Sequence, residues 1–580
     1  VNYNVPLNKI PVLSWTSLRT SYNTTYGWTA GSFGLADSLG HILTNTQGKT
    51  INGELNFRNL YNKSDFLKKY NTASFSKREE RPRGDQDEMK QGSSKEEEEG
   101  DEKKKEITVG PTGEILVRLL ISMKRITINY SENYSTTLPG FMQSPQLIGM
   151  NFNNGPSPGW DFILGVQPTR QWLDDAADNG WISSALTFNS TFLQNYSENL
   201  DIRANFEPLP DLRLDINMNK NYSENHSEFF RNTGTLGMPD FEHLNPMDNG
   251  SLTMSYSILG TIFDKLNTTE VTATFRQFEE NRLVISERFG NENIYSEGNF
   301  FDFQDSTFLA NYFDGYGPYS QDVLVPAFIA AYRDIDANTI PLNIFEQTPK
   351  PNWRLTYTGL TKIPAMKKLF SNVTLNSAYT STLAVNSYIT NLNYYGNYYL
   401  YANVVDTLSG NFFSQFSIPN VILSEQFSPV FGVDATFVSS LSTKFDFRKT
   451  RTLSMSFIDF QLTEIRSTEF TIGLGYTVAG LILPIRFGGK KPTLENDVTF
   501  RFDMSFRDDI TTNFRLDQDL NEPTGGLTII QIAPTIDYLV NDRFNVQLYF
   551  NRQQTIPKIS TAFPITTTNA GVKVRMSLAE

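Results

Sequence analysis

The sequence predicts an all-β protein, an antiparallel transmembrane β-barrel with long extracellular loops. Three observations carry that expectation. Apolar and polar residues alternate with period two in run after run, turn-forming residues join neighbouring runs by short links, and basic residues enter the apolar face of a run only near its far end.

The alternation is plainest in LSTKFDFRKTRTLSMSF (441–457). There Ser442, Lys444, Asp446, Arg448, Thr450, Thr452, Ser454 and Ser456 hold the even positions, while Leu441, Phe445, Phe447, Leu453, Met455 and Phe457 recur at odd ones. In DVTFRFDMSFR (497–507) the apolar set is Val498, Phe500, Phe502, Met504 and Phe506, and every residue between them is polar. The same pattern marks 200–206, 212–218, 470–478, 544–550 and 572–578, with weaker copies at 10–30, 51–58, 114–130, 352–360 and 371–383. Composition agrees, since the 44 Phe and 26 Tyr are residues that fit pleated, half-buried surfaces.

Links rich in Pro, Asp, Asn or Ser predict tight hairpins at FEPLPDL near 206, VSSL near 438, FRDDI near 506 and VNDRF near 540. Other connections are long and carry Gly, Asn and aromatics, as in FDGYGPYSQD and NLNYYGNYYLYANVVD. Short turns on one side and long loops on the other are the asymmetry of outer-membrane barrels. The aromatic loops around 311–320 and 393–401 are candidate contact surfaces, with packing inside the loop layer as the competing role.

Two segments leave the pattern. Residues 76–106 are almost wholly charged or small and predict a disordered loop insertion. Residues 268–288 set Val271, Phe275, Phe278, Arg282 and Ile285 three or four apart behind a Thr-Thr-Glu start, which predicts one amphipathic loop helix.

A soluble sandwich also alternates, so the period alone does not decide. Roughly 16 strand candidates without modular repeats, runs close to the 9–11 residues of a tilted membrane strand, and the placement of charge favour the membrane. In the run from 441 the apolar face meets Lys449 and Arg451 only about ten residues from the turn at Ser439 and Ser440, where a bilayer tolerates bases at about 0–1 kcal/mol. Lys444, Asp446, Arg448, Arg501, Asp503 and Arg507 are then predicted to line the lumen. Phe445, Phe447, Phe500, Phe502 and Phe506 are predicted to face lipid.

Other chemistry is thin. No run of 18 apolar residues predicts a transmembrane helix, no Cys permits a disulfide or thiolate site, and a net charge of −13 argues against a nucleic-acid partner. The first residues, VNYNVPLNKIPVLSWTS, lack the features of a signal peptide. His41, His226 and His243 are scattered and predict solvated loop positions. GLGYTVAG (473–480) imitates a nucleotide loop but alternates as a strand, with Gly473 and Gly475 expected as close-approach points facing the lumen. Asp446 and Asp503 are better explained by charge pairing with neighbouring bases than as a catalytic pair. Neither a catalytic constellation nor a cofactor or metal motif is expected.

Several stretches together resemble the SprA/Sov family, the outer-membrane translocon of the type IX secretion system. They are NLYNKSDFLKKYN (59–71), FRQFEENRLVISERFG (275–290), VLVPAFIAAY (323–332), PNWRLTYTGL (351–360), FGVDATF (431–437), KTRTLSMSFIDFQLTEIRSTEFTIGLGY (449–476) and TNAGVKVRMSL (568–578). The resemblance implies that 1–580 is the C-terminal part of a giant barrel, supplying only some of its strands. It further implies a protein-conducting pore in the bacterial outer membrane, linked in the family to gliding motility. The implied partners are the lipid bilayer, the rest of the same barrel polypeptide, a periplasmic plug protein, a PorV-like shuttle barrel and secreted cargo proteins. The acidic tract at 76–106 has no match in that pattern. A gated transporter or porin of the TonB-dependent type, an extracellular β-rich adhesin, and more remotely an enzyme using lumen carboxylates are the alternatives.

Overall fold

The computed structural model describes residues 1–72, 111–153, 155–235, 238–264, 272–296, 298, 311–394, 402–482, 495–516, 520–541, 544–558 and 562–576. Its 17 strands form one antiparallel sheet. In chain order they are β1 (Asn2–Val5), β2 (Thr16–Thr29), β3 (His41–Asn56), β4 (Met123–Phe141), β5 (Phe192–Leu209), β6 (Leu212–Asn232), β7 (Phe241–Ser255), β8 (Asn352–Tyr357), β9 (Phe370–Thr390), β10 (Phe416–Ser417), β11 (Asn420–Phe437), β12 (Leu441–Ser456), β13 (Gln461–Ile482), β14 (Glu495–Arg515), β15 (Leu520–Asn541), β16 (Phe544–Pro557) and β17 (Ile565–Met576). The helices are α1 (Ala36–Leu39), α2 (Phe57–Tyr61), α3 (Asp65–Thr72), α4 (Pro111–Leu120), α5 (Trp160–Ile163), α6 (Arg170–Asp178), α7 (Ala273–Glu292), α8 (Gln321–Arg333) and α9 (Pro364–Lys367). None of the described helices is long and apolar enough to cross a membrane.

The sheet is an up-and-down meander, β2 through β7, then β9, then β11 through β17, each strand pairing with the next in sequence. One position is shared. β7 pairs with the upper half of β6 and leaves the sheet at Ser255, and β8 takes up the same place beside the lower half, Asn352 opposite Asn217. β9 runs along both pieces, with Ser255 opposite Thr382 and Trp353 opposite Tyr379. Residues 256–351, with α7 and α8, are thus an insertion in the middle of a strand. β1 lies along the lower part of the β2 edge and β10 along the upper end of β9. Among the described residues no strand register joins β17 to β2, so β17 is an edge, and Val572, Val574 and Met576 on it are more than half exposed.

Several sequence expectations change. FRDDI at 506–510 is no turn but the middle of β14, because Asp508 meets Lys558 at 2.8 Å and Asp509 meets Arg507 at 2.8 Å, so neither acid needs a loop. The stretch 114–130 is half helix, with α4 preceding β4. The helix expected at 268–288 is Ala273–Glu292, capped by the Thr272 side chain accepting from Phe275 N at 3.2 Å, and Phe275, Phe278, Arg282 and Ile285 are buried as that face requires. Val271 and the Thr-Thr-Glu start lie outside the described residues. So does the charged tract 76–106, although the connection that holds it, 57–122, leaves from the same end of the wall as the β5–β6 and β11–β12 turns. Short links also occur at the opposite end, at 457–460 between β12 and β13, so the two ends are less asymmetric than expected.

Candidate functional site: a two-faced pore wall

Side chains alternate across a strand, so an unbroken register fixes which residues share a face. β12 and β13 pair from Leu441–Tyr476 to Ser456–Gln461 without a shift, and β13 and β14 continue the rows to Val478–Val498. Lys444, Asp446 and Arg448 therefore share one face with Glu469, Arg501, Asp503, Arg507 and Asp509. The charges interlock. Arg448 reaches Asp446 at 3.0 Å and Glu469 at 3.6 Å, Lys444 reaches Asp446 at 3.5 Å, and Arg501 approaches Asp537 at 3.8 Å. Lys444, Arg501, Asp503 and Arg507 are open to solvent, Arg448 is half-buried, and Asp446 is buried between its two bases. Asp446 thus steadies the row and offers no free carboxylate. Gly473 and Gly475 lie on this face: a Cβ at Gly475 would sit 2.4 Å from Ser442 Oγ, and one at Gly473 3.0 Å from Asp503 Oδ1. Their missing side chains leave a depression of about 320 Å³ lined by Ser442, Lys444, Arg501 and Asp503.

The opposite face carries Phe445 and Phe447 beside Phe470, Ile472, Phe500, Phe502 and Phe506. Among the described residues no second sheet covers it. Phe500 is 40% exposed, Phe502 36% and Phe506 37%, while Phe445 and Phe447 are half-buried, with Phe447 stacked on Phe470 at 4.7 Å. The band continues through Ile530, Ile532 and Ile536 on β15, and on the other side through Leu214 and Ile216 on β6, Ile202 on β5 and Ile128 on β4. It ends in polar and aromatic rows, Lys49, Glu132 and Glu198 with Tyr130, Tyr134 and Tyr196 in one half and Lys449, Thr468 and Asp508 in the other. An apolar band closed by such a girdle is the exterior of a transmembrane barrel.

Above that boundary the same face is covered. On β12 the odd residues continue as Arg451, Leu453 and Met455, all buried under the insertion 256–351. Phe275 of α7 stacks on Phe514 of β14 at 4.9 Å, Phe278 meets Phe328 at 6.2 Å, and α8 is buried from Val323 to Tyr332. Loop residues 312 and 316–318 are also buried in this layer, so 311–320 acts mostly as packing; 395–401 lies outside the described residues. Arg451 contradicts the expectation of a base at the water boundary. Its side chain is fully buried against Glu425, donating to Thr261 O at 2.8 Å and Thr261 Oγ1 at 2.7 Å, while Tyr379 OH donates to Glu425 at 3.0 Å. Lys449 instead rests over the Phe263 ring, 4.8 Å from its centroid.

A second cover, built from 141–191, lies over β2 to β6, packing Phe162 and Leu173 onto Leu43, Leu138 and Phe192. All three histidines expected in loops prove to be strand residues, His41 opening β3 while His226 and His243 lie here on β6 and β7. His226 Nδ1 meets Asp248 at 2.6 Å, Glu228 meets His243 Nδ1 at 2.9 Å, and His243 Nε2 reaches Asp174 of α6 at 3.2 Å. Arg170 of α6 adds a contact to Glu228 at 3.5 Å. No sequence spacing links these residues; the hairpin register does. The hydrogen bond to Asp248, then that to Glu228, pushes His226 up to about 9 against the effect of burial. Burial works against the Glu228 charge, yet the bonds from His226 and His243 hold its carboxyl below the usual range. The raised histidine contributes stability in full below its unfolded value near 6.5, lost as pH climbs through about 9, and worth about 3 kcal/mol. Hydrogen exchange of the α6 amides should therefore speed up between pH 6.5 and 9.5 beyond the intrinsic rate change, and His226→Gln should abolish that excess.

Among the described residues no group of three His, Cys, Asp or Glu could hold a metal ion. No family model and no curated protein matches the sequence. Several solved structures align with the chain at low scores. The RagAB peptide transporter aligns at 7% identity and TM-score 0.24, covering 94% of this chain and 49% of that one, so the chain spans about half its length. OmpT, an outer membrane protein of Vibrio cholerae in its trimer form, aligns at 9% identity and TM-score 0.15, covering 67% and 94%. OprB of Pseudomonas putida at low pH aligns at 8% identity and TM-score 0.10, covering 67% and 86%. At such scores they carry no argument about function. The sheet's own geometry makes this chain the wall of an outer-membrane-type antiparallel β-barrel.

Proposed function

We infer that the chain is part of a protein-conducting pore of the outer membrane, in the manner of the SprA/Sov translocon it resembles. The carrying observation is the wall itself, with an apolar band on one face and interlocked charges of both signs on the other. A lumen of mixed sign holds neither cations nor anions preferentially, which suits passage of polypeptides of varied charge. In this role Lys444, Arg448, Arg501, Asp503 and Arg507 line the passage, and Phe445, Phe447, Phe500, Phe502 and Phe506 meet lipid.

Barrels of 16 to 18 strands leave only an aqueous channel for solutes, and diameter grows with strand number. A folded cargo needs a wider ring. The edges at β17 and β2 would accept further strands of the same barrel polypeptide, because unpaired backbone inside a bilayer costs several kcal/mol per group. A periplasmic plug protein and a PorV-like shuttle barrel complete the proposed machine, which has no catalytic step of its own. Depleting the protein from cells should strand folded cargo in the periplasm while other outer-membrane barrels assemble normally. Undiminished export from depleted cells would refute the reading.

A further inference from the structure

Where the apolar band stops, each cover layer presents a rim of exposed apolar side chains. In the cover built from 141–191 the segment around α5 is tied to the boundary row: Tyr22 OH donates to Leu164 O, Gln47 donates to Gly165 O at 2.9 Å, and Asn45 donates to Phe162 O at 2.7 Å. One pair below stands Ile51, exposed on the band. These bonds fasten the segment's backbone inward, so Phe162 is buried while Trp160 is 50% and Leu164 53% exposed, with Val166 beside them.

The cover formed by the insertion 256–351 repeats the arrangement farther along the same face of the wall. Residues 258–264 are pinned by Arg451 to the Thr261 and Ile258 carbonyls and by Arg466 to the Asp264 carbonyl. Ile262 is buried against Tyr379 and Phe427, but Phe263 is 54% exposed and Leu259 is exposed too. Phe263 covers Lys449, and the next row toward the band is the exposed Phe431 opposite Phe447. Two unrelated segments, one a loop with a helical turn and the other the start of a strand insertion, thus each end beside the apolar band with the same chemistry.

The geometry points to a lipid-binding rim: Trp160, Leu164 and Val166 on one side and Leu259 and Phe263 on the other seat the two covers in the acyl–headgroup boundary of the adjoining leaflet. This rests on the apolar band meeting lipid, and extends that contact from the wall to the loops. Trp and Phe are the side chains that favour this depth. Asp161 and Asp264, both exposed in the same segments, limit penetration to the headgroup level, since neither enters hydrocarbon cheaply. The rim would brace the two covers against the bilayer in addition to their packing on the wall.

The chain has no Cys, so single cysteines can be placed without background. Leu164→Cys, Phe263→Cys, Phe502→Cys as a band reference and Ile458→Cys as an exposed loop reference would each carry a bimane label in phosphatidylcholine vesicles. Quenching would be compared for a lipid nitroxide near the headgroup, a lipid nitroxide deep in the chain, and aqueous iodide. The expected result is at least twofold stronger quenching of the labels at 164 and 263 by the shallow nitroxide than of the label at 458, and weak quenching of them by iodide. Iodide quenching at 164 and 263 equal to that at 458, with the label at 502 still quenched by lipid, overturns the rim alone. If the label at 502 also escapes both lipid nitroxides, the lipid-facing wall falls with it.

Discussion

Replacing Phe502 with Arg is expected to cost the membrane-inserted wall about 2–4 kcal/mol, whereas Thr468→Arg should cost about 0–1 kcal/mol. Phe502 occupies the middle of the apolar set on β14, with Phe500 and Val498 toward the start of the strand and Met504 and Phe506 toward the boundary. A guanidinium there has no water within reach and no acid opposite it, since the facing residues are Leu474 and Pro534. Thr468 sits on the same face one strand away, but opposite Lys449 and Asp508, where the band has already ended. The two substitutions add the same charge to the same face and differ only in depth. Denaturant titration of the folded barrel in vesicles would check the difference, and equal losses at both sites would mean that depth in a bilayer is not what distinguishes them.

Removing Arg451 should loosen the cover formed by the insertion 256–351 by about 3–5 kcal/mol, the cost of leaving one partner of a buried ion pair alone. Arg451 holds Glu425 on β11 and, through two carbonyls, the segment that begins the insertion, so it ties wall to cover at one point. Burial raises the Glu425 carboxyl even with Arg451 present, so Arg451→Met leaves an acid that takes up a proton rather than a bare charge. Glu425→Gln combined with Arg451→Met should then recover much of the loss, because a neutral, well-packed pair removes the desolvation cost on both sides. Hydrogen exchange on α8 is the direct readout: the single variant should exchange faster there than the double variant, with β13 amides in the apolar band unaffected.

How much of this was legible in sequence depends on what each residue touches. The band residues Phe500, Phe502 and Phe506 stand partly exposed on one face of β14 beside their strand neighbours, and a strict period of two records that. Helix α8 escaped because VLVPAFIAAY is buried on every side, and a helix without a polar face shows no helical stripe. The consecutive acids Asp508 and Asp509 imitate a turn, and only the fold brings Lys558 to the first of them. Lys449 and Arg451 look alike in sequence as two bases on one face. The insertion, leaving at Ser255 and returning at Asn352, separates them by covering one with an aromatic ring and burying the other. The His226 and Glu228 cluster is similarly invisible, because its members come from two strands and a helix far apart in the chain.

The decisive measurement is a cysteine scan of residues 500–507 in vesicles, read by a lipid nitroxide and by an impermeant maleimide. Lipid quenching should peak at 500, 502, 504 and 506, and maleimide labelling at 501, 503, 505 and 507, in strict alternation. Loss of the alternation, or maleimide labelling of the phenylalanine positions with no lipid quenching, would contradict a wall with hydrocarbon on one side and water on the other.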